Sequence, residues 1–245
     1  MVILNLIKKI KDKILDVLFP EYSCYVCGRE LVFPKNHVCD RCLKSMIAIT
    51  GNMCKKCGMP VPEGNGYCDT CKNREYAFDT ARACYHYNDT SGKIVMDLKY
   101  NKKKFVVPFI AMEMLLRLED FGVMPDIIIP VPISNKRYKE RGFNQAELIA
   151  DEMSSLTGEK IKVDATIVEK AIDSIPQARL KGKERLKNLN GAFKIRERKS
   201  LKGKNVLIID DVYTTGSTVN EVAKVLRKLH PDTINVLTFA KTVKE

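Results

Sequence analysis

Apolar residues recur at helical spacing over residues 2–19, where Ile3, Leu6, Ile7, Ile10, Ile14 and Leu18 are separated by lysines until Pro20 ends the pattern. This predicts an amphipathic helix over 1–20; docking on the protein's own core and lying on a membrane surface both fit it. Over residues 22–74 the periodicity is lost among short segments, glycines and prolines, with too few aliphatic residues to build a core. From about residue 76 it returns. Residues 80–88 alternate as a strand, and helical periodicity follows over 95–98 and 105–118. Residues 126–130 read as a short apolar strand and 143–156 as a helix. Residues 161–168 and 192–195 are further strand candidates, 206–209 a buried-type strand, 217–229 a helix and 233–239 a closing strand. Alternating strands and helices predict an α/β fold with a doubly wound, mostly parallel sheet. The predicted division is a helix over 1–20, a small unit over 21–75 and a larger domain over 76–245.

Something other than burial must hold the small unit together. Eight of the nine cysteines lie there, as Cys24-x2-Cys27-x11-Cys39-x2-Cys42 and Cys54-x2-Cys57-x10-Cys68-x2-Cys71. A Cys-x-x-Cys turn offers two thiolates on one side, so two such turns close a tetrahedral site with no position left for water. Gly28 and Gly58 follow the second cysteine of each leading pair and let the chain bend back around a metal. Two structural Zn²⁺ ions are expected; thiolate-bound iron is the alternative. The tandem repeat favours sequential over interleaved grouping. Cys84 reads as a buried thiol.

Composition narrows the class. With 45% hydrophobic and 29% charged residues the chain is globular, and no run is long and apolar enough to span a bilayer. Lysines follow the N-terminal apolar residues instead of preceding them, so no signal peptide is expected and a cytoplasmic location is. There paired thiols hold metal more often than they form disulfides. The formal charge is +12, and residues 181–204 hold ten basic and two acidic groups. An anionic partner and a plain solvated lysine surface both explain that segment.

The sharpest chemistry lies in Val206-Leu-Ile-Ile-Asp210-Asp211-Val-Tyr-Thr214-Thr215-Gly216-Ser217-Thr218. An apolar strand delivers two adjacent carboxylates, then four hydroxyl residues and a glycine lead into a helix. Backbone N–H groups, hydroxyls and the helix N-terminus favour a phosphate. The carboxylates can accept hydrogen bonds from a ribose diol and help hold Mg²⁺ through water. The pattern describes a pocket for a 5-phosphorylated ribose. A Walker B strand is excluded, because the chain has no Gly-x4-Gly-Lys-[Ser/Thr] loop; a capped helix beside two solvated aspartates is the plain structural alternative.

Residues Val206 to Thr218 resemble the PRPP-binding motif of type I phosphoribosyltransferases. Together with Pro130-Val-Pro-Ile-Ser134-Asn-Lys136-Arg137-Tyr-Lys-Glu-Arg141-Gly-Phe-Asn-Gln145, the stretch from Pro176-Gln177 through Arg185 and Asn188 to Gly191-Ala-Phe193, and the tandem cysteine pairs, they make the chain similar to the ComF family over residues 24–239. The resemblance implies a double zinc ribbon joined to a phosphoribosyltransferase-like domain and an association with DNA uptake in natural competence. It implies that residues 132–141 form a pyrophosphate loop with donors from Ser134, Lys136, Arg137 and Arg141, although a solvated basic loop also explains Lys136. It places a covering hood over 171–190, a stretch that a disordered crossover loop explains equally. Asp210 and Asp211 would hold the ribose, Thr214, Thr215, Gly216, Ser217 and Thr218 the 5-phosphate, and Mg²⁺ would accompany PRPP.

Three functions follow from this reading. One is a phosphoribosyltransferase for a nitrogen acceptor that the sequence does not reveal. The second is a non-catalytic module handling single-stranded DNA, for which the basic segment has few aromatic companions. The third is a docking surface on the ribbons for a competence helicase, with PRPP as a regulatory ligand.

Overall fold

The computed structural model describes residues 23–31, 38–171 and 191–243. The helix expected over 1–20, and the hood apart from Ala171, lie outside the described residues. The chain forms two compact units, Met1–Met46 and Ile47–Glu245. In the first, an antiparallel bridge pairs Ser23 with Glu30 around the turn at Gly28, and a short helix, α1 (Asp40–Ser45), starts directly after Cys39.

The second unit opens with the same arrangement: a Met53–Pro60 bridge, the turn at Gly58, and α2 (Asp69–Lys72) starting after Cys68. It then builds an α/β sheet from β1 (Thr80–His86), β2 (Ile127–Pro130), β3 (Lys162–Val163), β6 (Asn205–Tyr213) and β7 (Thr233–Lys241), in the order β1-β7-β6-β2-β3. Every pairing in it is parallel. β4 (Val168–Lys170) and β5 (Phe193–Ile195) form a separate antiparallel pair. The helices are α3 (Asp89–Tyr100), α4 (Val107–Leu115), α5 (Asn135–Arg141), α6 (Gln145–Leu156) and α7 (Ser217–Arg227).

Parallel strands covered on both faces read as continuous apolar runs, and β7 is buried from Ile234 to Lys241. On β6, Val206 and Ile208 share a core with Val219, Val222 and Ala223 of α7. Leu207 and Ile209, one residue out of phase, are also buried and point to the opposite face, where α4 and α6 pack against each other and on the sheet. Local signals start the helices. Asn88 accepts from the backbone N–H of Thr90 and Ser91 in a capping box for α3, and Asn144 caps α6.

β1 is a sheet edge, and unpaired edges invite association. Here residues 47–56 cover it. Ile49 N–H donates to Cys84 O at 2.9 Å, His86 N–H to Ile47 O at 2.8 Å and Ala81 N–H to Lys56 O at 2.7 Å. Cys54 and Cys57 thereby join a core containing Phe78 and Ala81.

Three elements differ from the sequence expectations. Residues 132–141 are not all loop: Ser134 caps α5, and Gly142 closes it with φ +82°. The helix is polar throughout, so apolar periodicity could not reveal it. The apolar run over 161–168 is divided between β3, in the main sheet, and β4, in the hairpin. β6 does not end before the aspartates but continues to Tyr213, because β7 pairs with it along that length.

Gly58 meets two demands at once. Its φ is +67°, and a Cβ there would lie 2.7 Å from Ala81 O, whereas Gly28 at φ +72° has open space around it. Gly58→Ala is expected to destabilise the sheet-bearing unit by about 2 kcal/mol and Gly28→Ala to leave that unit's transition unchanged, as read by urea unfolding of the zinc-loaded protein.

Candidate functional site

The cysteines converge in two groups, Cys24, Cys27, Cys39 and Cys42, and Cys54, Cys57, Cys68 and Cys71; within each group the sulfurs lie within 4.8 Å of one another. Cys27 and Cys39 Sγ are 3.7 Å apart, as are Cys57 and Cys68 Sγ. Four thiolates about 2.3 Å from one zinc sit about 3.8 Å apart, whereas a disulfide needs about 2.0 Å. Cys39 N–H also donates to Cys24 Sγ at 3.3 Å, which favours thiolate. The donor sets fit two structural zinc sites, with ligands grouped in sequence order. Cys84 stands apart as a buried thiol, with Sγ 3.4 Å from Glu113 O.

The second centre of chemistry is set by topology. After β2 the chain moves outward through α6 to β3; after β6 it moves the opposite way through α7 to β7. The connections therefore part between the carboxyl ends of the adjacent strands β2 and β6, where a doubly wound sheet opens a crevice. β6 brings Asp210 and Asp211 there, and residues 131–134 leave β2 beside them, with Val131 N–H bonded to Ile209 O at 2.9 Å.

Asp211 is buried, 2% exposed, and Asp210 is partly exposed. Lys99, near the end of α3, places Nζ 2.7 Å from Asp211 Oδ2. The contact is ionic, without an aligned hydrogen bond to that oxygen. Burial and the neighbouring Asp211 charge push the Asp210 carboxyl up to about 8, against the pull of Lys99. Burial acts to lower the Lys99 ammonium, but the two aspartates outweigh it and hold its pKa above the ordinary value.

The turn after β6 forms a compact cradle. Gly216 takes φ +73° as the N-cap of α7. Thr215 Oγ1 and Ser217 Oγ are 2.8 Å apart; Ser217 is buried, Thr215 and Thr218 are partly exposed and Thr214 is exposed. Several backbone N–H groups at the start of an 11-residue helix face this turn.

The residues expected around the pyrophosphate divide. Ser134 is buried and its Oγ accepts from Arg137 N–H at 3.4 Å, so it caps α5. Arg141 is buried, donates to Gln145 Oε1 at 2.8 Å and lies over the Tyr100 ring at 5.2 Å, next to Lys99 in sequence. Lys136 is exposed and Arg137 half-buried on α5; among the described residues neither forms an ion pair with the aspartates. A cavity of about 520 Å³ opens at the end of β2, between Pro132, Asn144, Glu147, Thr166 and Arg196; its lining includes neither the aspartates nor the turn. In the described part of the basic segment, Lys194 pairs with Glu169, Lys199 with Asp164 and Glu197, and Lys204 with Asp126. Much of that charge is balanced locally.

Sequence reasoning missed Lys99, which lies more than 100 positions before the carboxylates and directly after the buried Leu98 of α3.

With this geometry in place, comparison adds the relatives. Residues 14–72 match the model of the double zinc ribbon domain and residues 135–244 that of the phosphoribosyl transferase domain. Competence protein F of Haemophilus influenzae is 29% identical over 229 residues, 91% of this chain and 98% of that protein. These matches agree with the resemblance to the ComF family over most of the chain. A second relative, competence protein ComFC of Bacillus subtilis, is 27% identical over 80% of this chain and 80% of its own length. Among solved structures, a purine phosphoribosyltransferase from Pyrococcus horikoshii is similar over 55% of this chain and 81% of its own, at 19% identity and a TM-score of 0.35. Among the described residues of this chain, no helix is long and apolar enough to cross a membrane.

Removing Lys99 leaves a buried carboxylate without its counter-charge, which is more costly than removing both partners. Lys99→Met is expected to lower stability by about 3 kcal/mol, with most of the loss recovered in Lys99→Met/Asp211→Asn. Denaturant unfolding of the four proteins of the cycle measures both.

Proposed function

We propose that the crevice between β2 and β6 binds a 5-phosphorylated ribose, in the form of PRPP with Mg²⁺, and transfers the phosphoribosyl group to a nitrogen acceptor. The observation that carries this reading is the joining of two adjacent carboxylates to a hydroxyl-rich turn at a helix N-terminus, placed where the sheet's connections part. Thr214, Thr215, Gly216, Ser217 and Thr218 anchor the 5-phosphate through backbone N–H groups and hydroxyls. Asp210 and Asp211 accept hydrogen bonds from the ribose hydroxyls. Both offer the oxygen donors that Mg²⁺ takes through water, and the ion would offset pyrophosphate charge. As the bond from carbon 1 to pyrophosphate breaks and the bond to nitrogen forms, the ring gains positive charge, which the two carboxylates stabilise. Arg141, beside Lys99, is the buried cation at the pyrophosphate end.

The names of the relatives, competence and DNA utilization proteins, support placing this chemistry in the use of incoming DNA. A non-catalytic single-stranded DNA module is second to it, since Lys194, Lys199 and Lys204 are engaged by acids.

Calorimetric titration with PRPP and Mg²⁺ is expected to give saturable binding that Asp210→Ala/Asp211→Ala abolishes. No heat and no thermal stabilisation at millimolar PRPP would overturn the reading. Because Asp210 titrates at about 8 without ligand, it is mostly protonated at pH 7, and binding that favours its charged form releases a proton. Affinity should therefore rise about tenfold from pH 7 to pH 9 as ionisation completes, and Asp210→Asn should remove that rise.

A further inference from the structure

The turn from Thr214 to Thr218 contains no basic residue, and two aspartates precede it. A phosphate monoester carries between one and two negative charges near neutral pH. Amide and hydroxyl donors alone leave most of that charge uncompensated. A cation comes instead from outside the sheet. Arg74, three residues after Cys71, places Nη1 3.4 Å from Thr215 O and Nη2 3.4 Å from Ser217 Oγ. Both contacts are long and both acceptors neutral, whereas guanidinium–phosphate bonds run about 2.7–2.9 Å and are often bidentate.

Arg74 is also held for the task. Its guanidinium lies over the Tyr76 ring at 4.7 Å. On one side is Cys71 of the second cysteine group. On the other, Ala77 N–H donates to Asn220 Oδ1 at 2.7 Å and Ala77 O accepts from Arg227 Nε at 2.8 Å, both residues of α7. A planar fork stacked and pinned in this way loses little freedom when it takes up an anion.

Tyr213, 4% exposed, packs against the same turn, its hydroxyl 2.1 Å from where a Cβ on Gly216 would stand. Any side chain at position 216 would collide with it, so the turn stays open to the guanidinium of Arg74, which has donors to spare.

We propose that Arg74 is a direct ligand of the 5-phosphate, supplied to the sheet by the zinc-ribbon segment, and that it makes the site selective for a phosphate monoester. The proposal rests on the phosphoribosyl reading above. Ribose 5-phosphate, and pyrophosphate with Mg²⁺, titrated separately into zinc-loaded wild type, Arg74→Gln and Arg74→Lys, test it. Loss of the charged fork should weaken ribose 5-phosphate 10- to 100-fold in Arg74→Gln. Pyrophosphate affinity should stay within twofold, and Arg74→Lys should recover part of the loss. If Arg74→Gln binds ribose 5-phosphate within twofold of wild type, the arginine is no ligand and the phosphoribosyl reading stands without it. If it loses both ligands equally, or loses zinc, Arg74 is only a structural staple and the proposal fails. If wild type binds neither ligand, the phosphoribosyl reading falls and Arg74 falls with it.

Discussion

Two carboxylates side by side on the central strand of a parallel sheet are costly to bury, and much of the site follows from how that cost is met. Such a strand is covered on both faces, so Asp210 and Asp211 cannot both turn to water. Asp211 is neutralised by Lys99, carried in by α3, while Asp210 is held largely protonated at neutral pH by burial and its neighbour's charge. The ligand-free crevice is thus close to electrically balanced and poised to change its protonation when hydroxyl donors or a cation enter. Because β6 stays paired with β7 through Tyr213, both carboxylates sit on rigid backbone.

The second cysteine group serves the same sheet. With the residues just before it, it covers the open edge of β1; it shares a core with Phe78 and Ala81, and leads within three residues to Arg74 at the turn before α7. A structural metal centre is then part of what positions the turn before α7. This gives a physical reason for joining a ribbon to an α/β domain that already has a core of its own.

The cysteine groups and the turn from Asp210 to Thr218 were legible in the sequence because each is local: spacing alone specifies a metal knuckle or a strand, turn and helix. The parallel α/β sheet was legible from alternating periodicities. Lys99 and Arg74 were not, because each reaches its target across more than a hundred positions and nothing in its own neighbourhood marks it. Packing divides the compact units between Met46 and Ile47, and Cys54 and Cys57 share a core with Ala81 of β1, a long-range contact that local composition does not report. α5 escaped notice because a wholly polar helix is defined by its ends, Ser134 and Gly142, and has no apolar stripe.

The central claim is that the cradle after β6 receives the phosphate of a phosphoribosyl ligand. Hydrogen exchange of the zinc-loaded protein, followed residue by residue with and without PRPP and Mg²⁺, tests it most directly. The account predicts slowed exchange at the amides of residues 214–218 and in the 131–134 segment, with the α4 amides unchanged. Protection absent from both segments, or confined to the cavity around Thr166 and Arg196, would contradict it.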